Sequence, residues 1–227
     1  MGKPEFLELL AFHLGPFSIG PTVLTTWLLM AALTGVAWLG TRRLSVDVPS
    51  RLQTMLEGTV LALQQAIEDA APGHAARLLP FIGTLWLFIA AANLMGLVPG
   101  LRSPTGDLSL TVALALLVFA AVHWFGIRID GLRTYLKHYL DPNPILLPFH
   151  LLGEVTRTLA LAIRLFGNMM SLEMAALLVL LVAGFLAPIP LLMLHIIEAL
   201  VQAYIFGTLA LVYIAGALQS HELKHKE

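Results

Sequence analysis

The sequence predicts an all-α integral membrane fold. It has five transmembrane helices plus an amphipathic helix lying in the membrane plane, and the last two helices are long and strongly tilted. Three observations carry this reading. Of 227 residues, 58% are hydrophobic and only 12% are charged, against about a quarter charged in an ordinary soluble domain. Five apolar runs reach the ~20 residues that a helix needs to cross a bilayer. One further segment repeats apolar residues at helical spacing with polar residues between them. The mean hydropathy of +0.85 exceeds what so small a globule can hide from water, so lipid is the solvent for much of the chain.

Composition also excludes function classes. A formal net charge of −1 gives no global field directed at nucleic acid. Cysteine is absent, which removes disulfides and cysteine-based metal sites. No glycine-rich phosphate loop occurs, so the chain is not expected to bind ATP. Residues Met1–Phe12 mix Lys3, Glu5 and Glu8 with apolar residues. They lack the basic region, short apolar core and cleavage site of a secretory signal, so the first apolar run is expected to remain.

The five runs are Thr22–Leu39, Leu78–Val98, Leu108–Ile127, Leu146–Leu186 and Ile189–Leu218. The fourth is about twice the needed length, so it must tilt, bend or begin as a separate surface helix. Between the first two lies Arg51–Ala70, where Leu52, Leu56, Val60, Leu63 and Ile67 recur at helical spacing. Gln53, Glu57, Gln64, Glu68 and Asp69 fall elsewhere, which predicts an amphipathic helix along the membrane surface. Pro72-Gly73 ends it. A short surface piece, Gly131–Leu140, stops at Asp141-Pro142-Asn143-Pro144. Residues 1–227 read as a single membrane domain with a tail at 219–227.

Lysine and arginine positions predict orientation. Five spans place Arg42, Arg43, Arg51, Arg77, Arg128, Arg133, Lys137, Lys224 and Lys226 on one side, the cytoplasm. Lys3 and Arg102 fall on the other. The amino terminus is then outside and the carboxyl terminus inside.

The last two spans carry residues that hydrocarbon disfavours. The fourth holds Glu154, Arg157, Arg164, Asn168, Ser171 and Glu173; the fifth holds His195, Glu198 and Gln202. An arginine at a helix centre costs at least ~2.5–3.5 kcal/mol on insertion scales, so such groups are functional candidates. Arg157, Arg164, Asn168 and Ser171 step by seven, four and three and share one helical face, with Glu154 near its edge. His195, Glu198 and Gln202 step by three and four and share another. Glu173, nine residues past Arg164, points about half a turn away. In depth, Glu173, His195 and Glu198 meet in the outer half, Arg164 is near the middle, and Glu154 and Arg157 lie inward. This is the layout of two ion paths divided by a charge.

Blander readings stand beside these. Glu154 and Arg157 could be a helix-end ion pair that snorkels to the interface. Asn168 and Gln202 could be interhelical hydrogen-bond glue. Glu198 could be a structural partner of His195. Arg164 has no snorkelling route from the middle of so long an apolar helix.

Arg164-Leu165-Phe166-Gly167-Asn168-Met169, with the preceding Glu154–Ile163 segment, closely resembles the hallmark helix of the F-type ATP synthase subunit a family. Gln202-Ala203-Tyr204-Ile205-Phe206, seven residues after His195, resembles that family's last helix. Asn93–Gly100 and Pro104–Leu108 resemble its middle hairpin. The likeness runs from about residue 12 to 219 and is most specific at the Arg-Leu-Phe-Gly-Asn segment.

The resemblance implies an ion-translocating subunit that is not by itself an enzyme, with no catalytic residue, cofactor or metal. It places the family's essential arginine on Arg164, its channel asparagine on Asn168, its acid on Glu173, its histidine on His195 and its glutamine on Gln202. Glu198 departs from members with an apolar residue there and makes the outer path more acidic. The implied partners are a c-ring of hairpin subunits with membrane carboxylates, a b-subunit peripheral stalk and the rest of a synthase in a bacterial inner membrane. The last two helices would lie tilted against the ring, and the coupled ion would be H+ or Na+.

Two rival readings exist. His221-Glu222-Leu223-Lys224-His225 fits the H-E-x-x-H zinc-protease pattern, but only Lys226 and Glu227 follow and no third ligand is obvious. A self-contained ion or solute transporter also suits intramembrane Glu, His and Arg. Many such folds show internal repeats and helices broken near the midplane, neither of which is visible here.

Overall fold

The computed structural model describes residues 13–14, 17–18, 20–42, 44–45, 49–98, 101–131, 147–183 and 189–222. Near the amino terminus β1 (His13–Leu14) pairs antiparallel with β2 (Phe17–Ser18), His13 opposite Ser18. Among the described residues six helices follow: α1 (Pro21–Thr41), α2 (Arg51–Ala70), α3 (Ala75–Met95), α4 (Leu108–Asp130), α5 (Leu147–Ala183) and α6 (Ile189–Glu222). A 3-10 turn, Pro104–Gly106, precedes α4. All the helices except α2 are long and apolar enough to cross a membrane.

Helix ends follow local chemistry. Pro21 opens α1, where its missing N–H is not needed. The Ser50 hydroxyl accepts from Gln53 N and caps α2. Asp107 caps α4 by accepting from Ser109 N at 2.9 Å. Gly73 and Gly131, after α2 and α4, take φ of 77° and 76°, a region open to glycine.

Three spans have ends that lie three or four residues from expectation. The second span begins at Ala75 and ends at Met95, not at Leu78 and Val98, because the Pro72-Gly73 turn is tight. Gly96, Leu97 and Val98 instead bond back three residues in successive turns. The third span runs on to Asp130, where Gly131 stops it. The fifth runs to Glu222, so the helix takes in the start of the expected tail. Residues 132–146 and 223–227 hold most of the Gly131–Leu140 piece, the Asp141–Pro144 stop and the end of the His-Glu motif, and lie outside the described residues.

The fourth run is one uninterrupted helix from 147 to 183 with no separate surface helix in its described part. At 1.5 Å per residue it is about 55 Å long, far more than the ~30 Å of a hydrocarbon core. Such a helix fits by inclining or by projecting from the bilayer.

The core lies where α3 packs on α6 and α4 on α5. Leu78, Ile82, Ile89, Leu165, Phe206, Leu211 and Ile214 are fully buried there. The carboxyl-terminal half of α2 joins this core through Ile67, while Leu52, Met55, Val60 and Leu61 remain exposed. Gln53, on the polar side of the expected pattern, is buried. Its side chain bonds Ser45 N and Ser45 O and tethers the incoming chain. The α1 helix is peripheral, with Trp27, Met30, Val36 and Leu39 exposed. Exposed apolar side chains on a helix exterior are what a lipid solvent permits.

Candidate functional site

Arg164 lies on an exposed face of α5, with Leu159, Ile163 and Met170 also open. The neighbouring face of α6 exposes Ile197, Leu200, Val201 and Tyr204. Among the described residues no carboxylate pairs with Arg164. A single guanidinium therefore stands on a broad apolar surface formed by the two longest helices.

One turn along α5, Asn168 turns toward α6, and its Nδ2 donates to Gln202 Oε1 at 2.8 Å. Gln202 is only 1% exposed. Its Nε2, facing no acceptor among the described residues, is a buried donor. The Asn168 and Gln202 pair thus bridges the helices, and the bridge sits beside the cation.

Glu173 and His195 do not touch each other. The hairpin between α3 and α4 joins them. Ser103 N donates to Glu173 Oε1 at 3.2 Å. Ser103 Oγ lies 2.6 Å from Thr105 Oγ1, which donates to Asn93 Oδ1 at 2.6 Å. Asn93 Nδ2 donates to Ala199 O at 3.1 Å, and Asn93 O receives His195 Nε2 at 3.3 Å. A carbonyl can only accept, so Nε2 carries the ring hydrogen there. Ser103 Oγ also reaches Ala92 O at 2.9 Å. Two hydroxyl hydrogens therefore serve three contacts, and rotation of either hydroxyl exchanges which one is filled.

The chain is buried and close-fitting. Asn93 and Thr105 are 0% exposed and Ser103 and His195 are each 4% exposed. Glycines make room for the Glu173 carboxylate: a Cβ on Gly106 would sit 3.4 Å from Oε2, and one on Gly96 would sit 3.5 Å from Oε1. Asn93, Ser103 and Thr105 were not among the residues that the sequence singled out for the site. Asn93 could have been found by the rule that flagged Arg164, since it is a polar residue inside an apolar run. Ser103 and Thr105 lie in a turn, where polar residues are ordinary and carry no signal.

The other expected members are dispersed. Glu198 is half-buried on α6 and forms no ion pair with His195. Ser171 is exposed on α5. Glu154 and Arg157 do not pair with each other: Glu154 Oε2 lies 3.2 Å from His123 Nε2, and the Arg157 guanidinium sits 5.5 Å from the Tyr213 ring centre. Among the described residues no cluster of three or more His, Cys, Asp or Glu could hold a metal.

Outside the spans, Asp107 sits in a polar setting at the start of α4. Burial pushes its carboxyl up, but bonds from Thr22 Oγ1, Ser109 Oγ and Ser109 N outweigh it and hold it below the ordinary value of 3.8. Thr22 Oγ1 donates at 2.7 Å, tying the start of α1 to the start of α4.

Residues 23–215 match the family model described as ATP synthase A chain. The chain is 66% identical over 213 residues to an ATP synthase subunit a 2 of Pelobacter propionicus, covering 94% of this chain and 93% of that one. It is 66% identical over 207 residues to an ATP synthase subunit a 1 of Hahella chejuensis, covering 91% and 88%. It is 55% identical over 224 residues to an ATP synthase subunit a of Legionella pneumophila, covering 99% and 97%.

Proposed function

The chain belongs to the ATP synthase A chain family of multi-pass membrane subunits, and from that premise we propose how its residues carry ions. Two offset half-channels deliver H+ or Na+ to, and collect it from, the carboxylates of a c-ring, coupling ion flow to rotation and so to ATP synthesis or hydrolysis. The observation that carries the reading is Arg164, an exposed cation on the open apolar face of α5 and α6 beside the Asn168–Gln202 bridge. A rotor carboxylate gives that face an apolar partner and that cation a counter-ion. Gln202 Nε2 supplies a donor at the same place.

An ion enters by the outer path, along Glu173, the Ser103–Thr105–Asn93 chain and His195, with Glu198 adding negative charge. It neutralises a ring carboxylate, which can then face lipid. A charged carboxylate cannot do so cheaply, so rotation and ion transfer are coupled. After nearly a full turn the carboxyl meets the inner path on the Glu154 and Arg157 side and releases its ion. Arg164 favours the release, because a nearby positive charge stabilises the carboxylate form. It also blocks direct leakage between the paths. Arginine suits the task because it stays charged, whereas lysine can lose its proton on desolvation. Each charge moved gains ~2.3 kcal/mol per 100 mV of membrane potential.

The side bearing Arg42, Arg51, Arg77 and Arg128 is the cytoplasmic side of a bacterial inner membrane, with the amino terminus outside. The partners are the ring, a peripheral stalk built on a b subunit and the remainder of the synthase. The deciding experiment is ATP-driven pumping in vesicles carrying the assembled complex. Arg164→Ala abolishes coupled pumping and Arg164→Lys impairs it. Pumping at the wild-type rate by Arg164→Ala overturns the reading.

A further inference from the structure

α4 carries His123, a histidine in the last third of an apolar span, and its ring reaches α5. Its Nδ1 lies 2.8 Å from Phe119 O, and its Nε2 lies 3.2 Å from Glu154 Oε2. The Phe119 carbonyl can only accept, so Nδ1 holds a hydrogen and Nε2 is the nitrogen turned to Glu154. A bare Nε2 lone pair facing a carboxylate oxygen is repulsive. The contact is favourable when the ring is an imidazolium or the carboxyl carries a proton, and its geometry is that of an ion pair and not of a hydrogen bond. The ring is held in place by its tilted contact with Phe119, 4.3 Å between ring centres.

Position and exposure suit exchange. His123 stands five residues before Arg128, about 7.5 Å along the axis, and Glu154 stands ten before Arg164, about 15 Å. The pair therefore lies between Arg164 and the end of the bundle marked by Arg128. The side chains are 28% and 22% exposed, while Oε2 itself is covered. The other ionisable side chains on this stretch of α4, α5 and α6, among the described residues, are Arg128, His150, Arg157 and Tyr213.

We propose that His123 and Glu154 together form the proton-holding station at the mouth of the inner path. The inference rests on the two-path reading above and assigns a residue to it on a helix, α4, to which that reading gave no part. In each transfer a proton released from the rotor side arrives at the Nε2–Oε2 position, and the proton already there passes to water beyond the mouth. Only N–H and O–H bonds form and break, and the pair returns to its starting charge. Histidine is apt because a ring nitrogen can both accept and give up a proton.

The test is passive proton conduction by the membrane sector of the assembled complex in liposomes, driven by a potassium diffusion potential. The rate is expressed per assembled complex, with pH varied on the Arg128 side. His123→Gln keeps bulk and a donor but cannot titrate. It is expected to slow conduction by roughly tenfold or more and to flatten the dependence on pH at that side. Glu154→Gln does the same from the other partner, and the double variant is no slower than either single one. Wild-type rate and pH profile in His123→Gln overturns the proposal, as does a loss explained wholly by less assembled complex. Sodium conduction that is indifferent to pH also overturns it. Arg164→Ala separates the two levels. If it abolishes pumping while His123→Gln is silent, the two-path reading stands and this station falls. If Arg164→Ala pumps normally, the underlying reading falls.

Discussion

Asn168 Nδ2 donates to Gln202 Oε1 at 2.8 Å across the α5–α6 contact, one helical turn from Arg164. This is the only side-chain hydrogen bond linking those two helices among the described residues. Removing one partner strands a buried amide, which costs about 1–3 kcal/mol. Replacing both with apolar groups of similar size restores stability. Asn168→Leu alone is therefore expected to lower the melting temperature of the solubilised complex, and adding Gln202→Leu to recover it. Pumping does not recover in the double variant if the pair serves ion transfer. Recovery of both would make the bridge structural glue alone.

Thr105 sits at the centre of the chain that links Glu173 to His195, donating to Asn93 Oδ1 and touching Ser103 Oγ. Thr105→Val keeps the shape and deletes the hydroxyl. It leaves Asn93 Oδ1 and Ser103 Oγ short of a partner in a buried site, at about 1–3 kcal/mol. The expected outcome is an assembled complex that transports several-fold more slowly without leaking. Thr105→Ser, which restores the hydroxyl, should return most of the rate. Equal rates in the valine and wild-type complexes would remove the hydroxyl from the path.

Gly207 receives the Trp86 indole: a Cβ there would collide with the ring. Trp86 Nε1 donates to Tyr204 O at 3.1 Å, and its ring lies nearly parallel to that of Tyr204. Gly207→Ala is expected to overpack the α3–α6 contact, at roughly 1–3 kcal/mol. Trp86→Phe in the same chain should return part of the loss, and thermal melts of the four variants measure the coupling. Strict additivity would mean that the two residues do not share the site.

Asp107 is held below its ordinary pKa by Thr22 and Ser109. A depressed carboxyl gives stability that is present above the unfolded value and is lost as pH falls through the folded one. The contribution is therefore complete at neutral pH and fades below 3.8. Asp107→Asn keeps the helix cap but cannot titrate. Its melting temperature should fall less than the wild type's as pH drops from about 5 to about 3. Parallel pH profiles would count against the tie between α1 and α4.

Much of the architecture was legible because it is set locally. Hydrocarbon thickness fixes run length, and helical period fixes which residues share a face. Thus Arg164 and Asn168 fell on one face of α5 by counting alone. Helix ends moved where a turn decided them: Pro72-Gly73 started α3 early, and Gly96 ended it early. Gln53 misled, because a polar residue on an amphipathic helix reads as solvated. Here it satisfies the backbone of Ser45 instead.

The Glu173–His195 region was only half legible. Glu173 and His195 announced themselves as ionisable groups in apolar runs. The groups that join them are neutral and come from a turn and from the end of α3. Glu154 was expected beside Arg157 on its own helix, and its partner turned out to be His123 on another.

The sequence by itself determined the number of apolar helices, the amphipathic helix α2 and the place of an arginine inside a long apolar run. Each of these depends on spacing along one chain segment, and a helix sets its own angles through bonds four residues apart. The tertiary structure alone decided which side chains meet: Asn93 with His195, Ser103 with Glu173, His123 with Glu154. Those contacts depend on how helices cross and at what height, and that follows from packing among distant segments. A helical wheel gives direction about one axis and says nothing of the neighbour that stands there.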